Sequence, residues 1–215
     1  GISAKYSNKV CKIGNIIRED LIKDNNKDGQ IDKFDDLRVL VLGGSQAAKV
    51  FAEELPQIFE RLKKSNIPIR VFQQCQENQN SYLSKFYKKA NIDYKIFNFT
   101  DRIIDYYSKV NLVITRSGAS VLGELINVKV PFISIPLPSS ADNHQYKNAE
   151  FYFKKGCGYL LEETDIKAKL FDLINSIFND KSLIKNILSK QRQYSDKDIF
   201  KNLNVQIEEI LNEKN

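Results

Sequence analysis

The 215 residues contain no methionine and no tryptophan, a single histidine and three cysteines. One histidine and no closely spaced cysteine pair exclude a structural zinc site, which takes four nitrogen or sulfur ligands in tight spacing. Cys11, Cys75 and Cys157 are odd in number and far apart, which excludes a disulfide framework and fits reduced thiols. No apolar run approaches the ~20 residues of a spanning helix, and no leader peptide is expected from the opening residues. A chain without methionine is expected to be a piece of a longer protein. Glycine and proline number only nine and five, and neither low-complexity linkers nor internal repeats are present. What remains, 42% hydrophobic and 28% charged residues, is the composition of a globular protein able to bury a full core. The net charge of +6 is carried by lysines scattered among Asn and Ile. A lysine-rich surface with no nucleic-acid partner is the expectation.

From residue 37 onward, short apolar runs alternate with longer amphipathic segments. Residues 37–42, 67–72, 94–97, 112–115, 130–135 and 158–161 are strand candidates, each followed by a stretch of helical period. Six βα units in series predict an α/β, Rossmann-like parallel sheet with helices on both faces. Strands as continuously apolar as Val39-Leu40-Val41-Leu42 fit burial on both sides. Residues 165–211 read as two or three amphipathic helices, broken near Asn179-Asp180 and again near Tyr194-Ser195.

In such a sheet ligands bind outside the carboxyl ends of the strands. After the fourth strand comes Thr115-Arg116-Ser117-Gly118-Ala119-Ser120. Its small residues let backbone N–H groups approach a phosphate, and the following helix points its positive end at the same place. Glu124, in that helix's first turns, suits two neighbouring hydroxyls such as those of a ribose. After the first strand stands Gly43-Gly44-Ser45-Gln46-Ala47-Ala48, a second turn fit for a phosphate. After the third comes Phe99-Thr100-Asp101, where backbone groups could meet a flat base; the alternative makes Asp101 an N-cap and puts Phe99 in the core. Past the fifth strand lies the polar loop Asp142-Asn143-His144-Gln145. Together these loops suggest a nucleotide site.

Gly14-Asn15-Ile16-Ile17-Arg18, Gly43-Gly44-Ser45-Gln46, Phe99-Thr100-Asp101, Arg116-Ser117-Gly118-Ala119 with Glu124, Pro136-Leu137-Pro138, and Asp142-Asn143-His144-Gln145 with Asn148-Ala149 follow one another in this order. Over roughly residues 9–165 the chain resembles the MurG family, bacterial UDP-N-acetylglucosamine:lipid I N-acetylglucosaminyltransferases of peptidoglycan synthesis. The resemblance implies the C-terminal, donor-binding half of a two-domain GT-B glycosyltransferase, with residues 1–36 a connecting segment that carries Arg18 and residues 37–215 the donor-binding domain. It implies that Glu124 holds the ribose, that Ser45, Ser117, Gly118 and Ala119 surround the diphosphate beside Arg18, that Thr100 and Ile103 line a uracil pocket, and that Gln145 with His144 reads the sugar. It also implies no cofactor, no catalytic base in this half, a lipid-linked muramoyl-pentapeptide acceptor bound by an N-terminal domain, and a cytoplasmic enzyme peripheral to the inner face of the cell membrane. Ala47 stands where the family usually has Gly, and Ile16 where it often has Pro. A separately encoded donor subunit of a split transferase, or a non-catalytic nucleotide- or calcium-binding module, are the alternatives.

His144 invites an acid–base reading, but a hydrogen-bonding role is preferred. The run from Asp24 to Asp35 has the oxygen spacing of an EF-hand loop, with Asp24, Asn26, Asp28, Asp32 and Asp35 as ligands and Gly29 at the sixth place. Its last ligand is the short Asp35 rather than Glu, and the strand at Leu37 leaves no room for a second flanking helix. A solvated acidic loop is the expectation.

Overall fold

The computed structural model describes residues 10, 16–18, 21, 35–44, 49–194 and 199–212. The six expected strands form one wholly parallel sheet: β1 (Leu37–Leu42), β2 (Ile69–Gln74), β3 (Asp93–Phe97), β4 (Leu112–Thr115), β5 (Phe132–Ser134) and β6 (Tyr159–Leu160), in the order β3-β2-β1-β4-β5-β6. The helices between and after them are α1 (Lys49–Lys64), α2 (Asn80–Lys89), α3 (Ile104–Tyr107), α4 (Ala119–Asn127), α5 (His144–Lys154), α6 (Ile166–Asn179), α7 (Lys181–Gln191) and α8 (Ile199–Asn212). The winding runs outward from β1 to β3, returns, and then runs the other way from β4 to β6. Because such crossovers are right-handed, the reversal sends the two sets of helices to opposite faces and opens a crevice between β1 and β4.

Three of the sheet's strands are buried almost throughout. Val39, Leu40 and Val41 in β1, Leu112, Val113 and Ile114 in β4, and Phe132 and Ile133 in β5 have no exposed surface. Leu21, from the segment before β1, is buried in the same core.

Four helix-to-strand turns share one geometry. Asn66, Asn91, Lys129 and Gly156 are left-handed, at φ 60°, 52°, 56° and 69°. In each case the next residue's N–H reaches back to the helix: Ile67 to Leu62 O, Ile92 to Tyr87 O, Val130 to Leu125 O and Cys157 to Tyr152 O. This is the Schellman stop, with a buried apolar residue after the left-handed one. It also explains why β2 and β5 begin two residues later than the apolar runs suggest: Ile67 and Val130 are spent on ending helices. The tail breaks as expected at Asp180, whose carboxylate accepts from the Ser182 N–H at 2.9 Å and starts α7.

Burial makes several protons hard to remove. It pushes the Cys75 thiol up to about 11. Burial first, then the neighbouring Cys75 and Tyr82, raises Tyr87 well above the usual tyrosine range. Burial and Glu124 do the same to Tyr107, against Arg18. The unfolded chain ionises these groups at ordinary values, so folding keeps protons that unfolding releases. The contribution of these groups to stability is therefore constant below about pH 9 and falls above it, by up to about 1.4 kcal/mol per pH unit for each group in its window. Urea midpoints should be level from pH 7 to 8.5 and drop by pH 10.5; a level midpoint throughout would show that these groups ionise as readily in the fold.

Candidate functional site

A cleft of about 1480 Å³ opens at the carboxyl ends of the strands, where the winding reverses. Its walls come from the loops after β1, β2, β3, β4 and β5 and from the turn after β6.

The centre of the cleft is the start of α4. Gly118 precedes the helix at φ −63° and ψ 141° and, as the N-cap residue, supplies no side-chain cap, which leaves first-turn N–H groups as donors among the described residues. Among the described residues a Cβ on Gly118 would meet Val121 alone, at an ordinary 3.7 Å. Neither backbone nor packing demands a glycine there, and its missing side chain leaves space on the cleft side. Gly44 differs: its φ of 75° is one that L side chains rarely adopt.

In the second turn of α4, the half-buried Glu124 accepts a hydrogen bond from the buried Tyr107 hydroxyl at 2.9 Å. That bond fixes the carboxylate at the cleft wall. On the β3 side, Thr100 and Ile103 line the cleft, and the Thr100 hydroxyl accepts from the Arg102 N–H at 3.1 Å. Arg18 reaches this loop from the segment before β1 and donates to the Asp101 carbonyl at 2.8 Å. Asp101 caps no helix, since α3 begins at Ile104 after Ile103. Phe99 is not in the core either. Its ring is 82% exposed at the cleft rim, because the chain leaves β3 at Phe97 and no helix covers the next two residues.

On the other side, Gln145 at the start of α5 accepts two backbone N–H groups through one oxygen, from Leu137 at 3.0 Å and from Ser117 at 3.3 Å. Two donors on Oε1 fix which way the amide faces, so Gln145 presents its NH₂ as the remaining group. Asn148 holds the other backbone group of the same residue, donating to Ser117 O at 3.1 Å. The preceding turn is strained: Asp142 and Asn143 are both left-handed, at φ 48° and 54°, a cost of about 1 kcal/mol or more each for non-glycine residues.

The expected residues therefore separate. Thr100, Ile103, Gly118, Glu124 and Gln145 border the cleft, and Arg18 is tied to its β3 side. Ser117 is fully buried, and its hydroxyl has no hydrogen-bond partner among the described residues. Ala119 is exposed at the helix start but does not border the cleft. His144 is exposed, its Nδ1 donating to the Ala141 carbonyl at 2.7 Å, and lies outside the lining. Ser45 lies outside the described residues, as do Asp24, Asn26, Asp28 and Asp32; Asp35 is exposed. Among the described residues no cluster of His, Cys, Asp and Glu could hold a metal ion.

Sequence reasoning missed Tyr107, Arg116 and Glu163. Arg116 is 7% exposed and donates Nη1 to Ile135 O and Pro136 O at 3.2 and 3.1 Å and Nη2 to Glu163 Oε2. Its guanidinium lies 4.8 Å from the centre of the Phe51 ring. Nothing local marks Tyr107 or Glu163, because both gain their partners across many residues of chain.

The model of the glycosyltransferase family 28 C-terminal domain matches residues 38–203. The chain is 36% identical over 214 residues to the UDP-N-acetylglucosamine–N-acetylmuramyl-(pentapeptide) pyrophosphoryl-undecaprenol N-acetylglucosamine transferase of Pelagibacter ubique, covering 97% of this chain and 58% of that protein. It is 32% identical to the Rickettsia bellii transferase of the same name, covering 86% and 54%. Among solved structures it resembles Acinetobacter baumannii MurG with a TM-score of 0.73 and 26% identity, over 86% of this chain and 55% of that one. A Staphylococcus aureus MnaA–UDP structure shares the fold at a TM-score of 0.66 and 14% identity, over 97% and 56%. The chain thus spans a little over half the length of the relatives it matches. With the family model covering all of the sheet but its first residue, together with the loops between the strands that form the cleft, the chain belongs to the family of glycosyltransferase family 28 C-terminal domains.

Proposed function

We propose that this chain binds UDP-N-acetylglucosamine as the donor half of an inverting glycosyltransferase that adds N-acetylglucosamine to a lipid-linked muramoyl-pentapeptide, lipid I, to give lipid II at the inner face of the cell membrane. The observation that carries the reading is the pairing within one cleft of Glu124, fixed by Tyr107, with the uncapped start of the same helix at Gly118. A carboxylate suited to a vicinal diol thus stands next to donors suited to a diphosphate.

In this reading the nucleoside lies toward β3, with its base against Thr100 and Ile103 and its ribose on Glu124. The diphosphate lies at the start of α4, and the sugar points toward Gln145. The C4 hydroxyl of the acceptor's muramoyl sugar attacks the anomeric carbon as the bond to the diphosphate breaks. Negative charge grows on the departing UDP, and N–H groups already aimed at that position stabilise it without reorganising. The acceptor and a general base belong to a second domain outside these residues, since transfer depends on holding both reactants together.

Calorimetric titration tests the reading. UDP-N-acetylglucosamine should bind saturably with one site per chain, UDP should compete with it, and EDTA should leave the affinity unchanged. Absence of saturation at millimolar nucleotide sugar would overturn the assignment.

A further inference from the structure

Arg116 and Glu163 form a mostly buried ion pair on the cleft wall, with side chains 9% and 26% exposed. Their position follows from the sheet. Arg116 directly follows β4, Ile135 and Pro136 follow β5, and Glu163 follows β6, so the guanidinium ties the mouths of three adjacent strands together. It does so with three of its five N–H donors, Nη1 to two carbonyls and Nη2 to the carboxylate, and with its face toward Phe51. Arg116 thus acts as a fastener of the cleft wall.

Burying such a pair is a poor way to gain stability, because desolvating two charges offsets most of their attraction and an apolar pair of similar size often serves as well. What the pair provides is a carboxylate of fixed orientation. Glu163 Oε2 is taken by Arg116, and Oε1 has no hydrogen-bond partner among the described residues although the side chain borders the cleft. Gln145 and Leu137 line the same end of the cleft, away from Thr100 and Ile103 on the β3 side. Gln145 offers that end only donors, since its oxygen is used twice. A sugar hydroxyl needs both a donor and an acceptor to replace its water.

We propose that Glu163, oriented by Arg116 as a positioning residue, accepts a hydrogen bond from a hydroxyl of the donor's hexose and so helps select which sugar is carried. This rests on the donor-binding reading above and adds to it the residue that distinguishes a nucleotide sugar from the bare nucleotide.

The test compares UDP with UDP-N-acetylglucosamine by calorimetry on the 215-residue chain, wild type and Glu163→Gln. Glu163→Gln keeps the volume and a hydrogen-bond acceptor for Arg116 but removes the charge and the strongest acceptor. UDP affinity should stay within twofold, while UDP-N-acetylglucosamine affinity should fall about five- to tenfold. A panel of singly deoxygenated UDP-N-acetylglucosamines locates the contact. Wild type should lose affinity for one of them, and Glu163→Gln should bind that analogue and the parent sugar nearly alike. Equal losses for UDP and UDP-N-acetylglucosamine, with a lowered melting temperature, would mean a structural pair only and overturn the proposal. So would unchanged affinity for both. Wild type that binds neither ligand would overturn the donor-binding reading itself, a result distinct from either.

Discussion

Glu124→Ala is expected to weaken UDP binding by about 1.5–3 kcal/mol, the range for hydrogen bonds to a charged group, which is roughly tenfold or more in affinity. The effect arises at two points. The ribose hydroxyls lose their acceptor, and the buried Tyr107 hydroxyl loses the carboxylate that it donates to at 2.9 Å. Leaving that hydroxyl without its partner costs about 1–3 kcal/mol of stability in addition. Glu124→Gln separates the two effects: its amide oxygen still accepts from Tyr107, so stability should recover more than affinity does. Calorimetry on the folded variants is the measurement, and unchanged UDP affinity in Glu124→Ala would remove Glu124 from the site.

Gly158→Ala is expected to cost about 3 kcal/mol of stability, the upper part of the usual range for overpacking a core. A Cβ at Gly158 would lie 2.3, 2.6 and 2.7 Å from Cε2, Cζ and Cδ2 of Phe132, closer than carbon atoms approach without bonding. The ring has little freedom to give way, since Phe132 is fully buried and meets Tyr152 edge-to-face at 6.4 Å between centroids. The glycine is there so that the start of β6 can press against β5's aromatic side chain. Urea unfolding reads the cost as a lowered midpoint at constant slope. In a Phe132→Leu background the added methyl has more room, so the same substitution should cost less. A change below ~0.5 kcal/mol in the wild-type background would show that β6 is not held so closely.

The strands were legible because burial on both faces writes itself as apolar runs, and 37–42 and 112–115 correspond to β1 and β4 at both ends. The ends of the helices were harder to read. Only one of the four left-handed stops is a glycine; the others are Asn66, Asn91 and Lys129, and asparagine and lysine also stand elsewhere along the helical segments, so neither marks a stop by itself. Phe99 was misplaced by the core alternative for a related reason. An aromatic after a strand is normally buried, and only the path of the loop decides that this one faces solvent. Within the candidate site, the small-residue turn at Gly118 and the acid at Glu124 could be read from local spacing, because a strand, a turn and the first turns of a helix have fixed geometry.

By itself, the sequence determined the α/β class, the six parallel strands, the crevice side of the sheet and the choice of loops that face it, since periodicity and βα order suffice for these. The tertiary structure alone decided which polar side chains are spent on the protein and which remain for a ligand. Arg116 stands in the small-residue loop with no role legible from sequence, yet three of its N–H donors are given to Ile135, Pro136 and Glu163. Gln145 reads as a two-way hydrogen-bonding group, yet its oxygen is taken by the Ser117 and Leu137 N–H groups. Tyr107 and Glu163 carry no local signal at all, since their partners lie 17 and 47 residues away. Hydrogen-bonding capacity is a property of the residue, but whether it is already used depends on which distant backbone and side-chain groups the fold brings within about 3 Å.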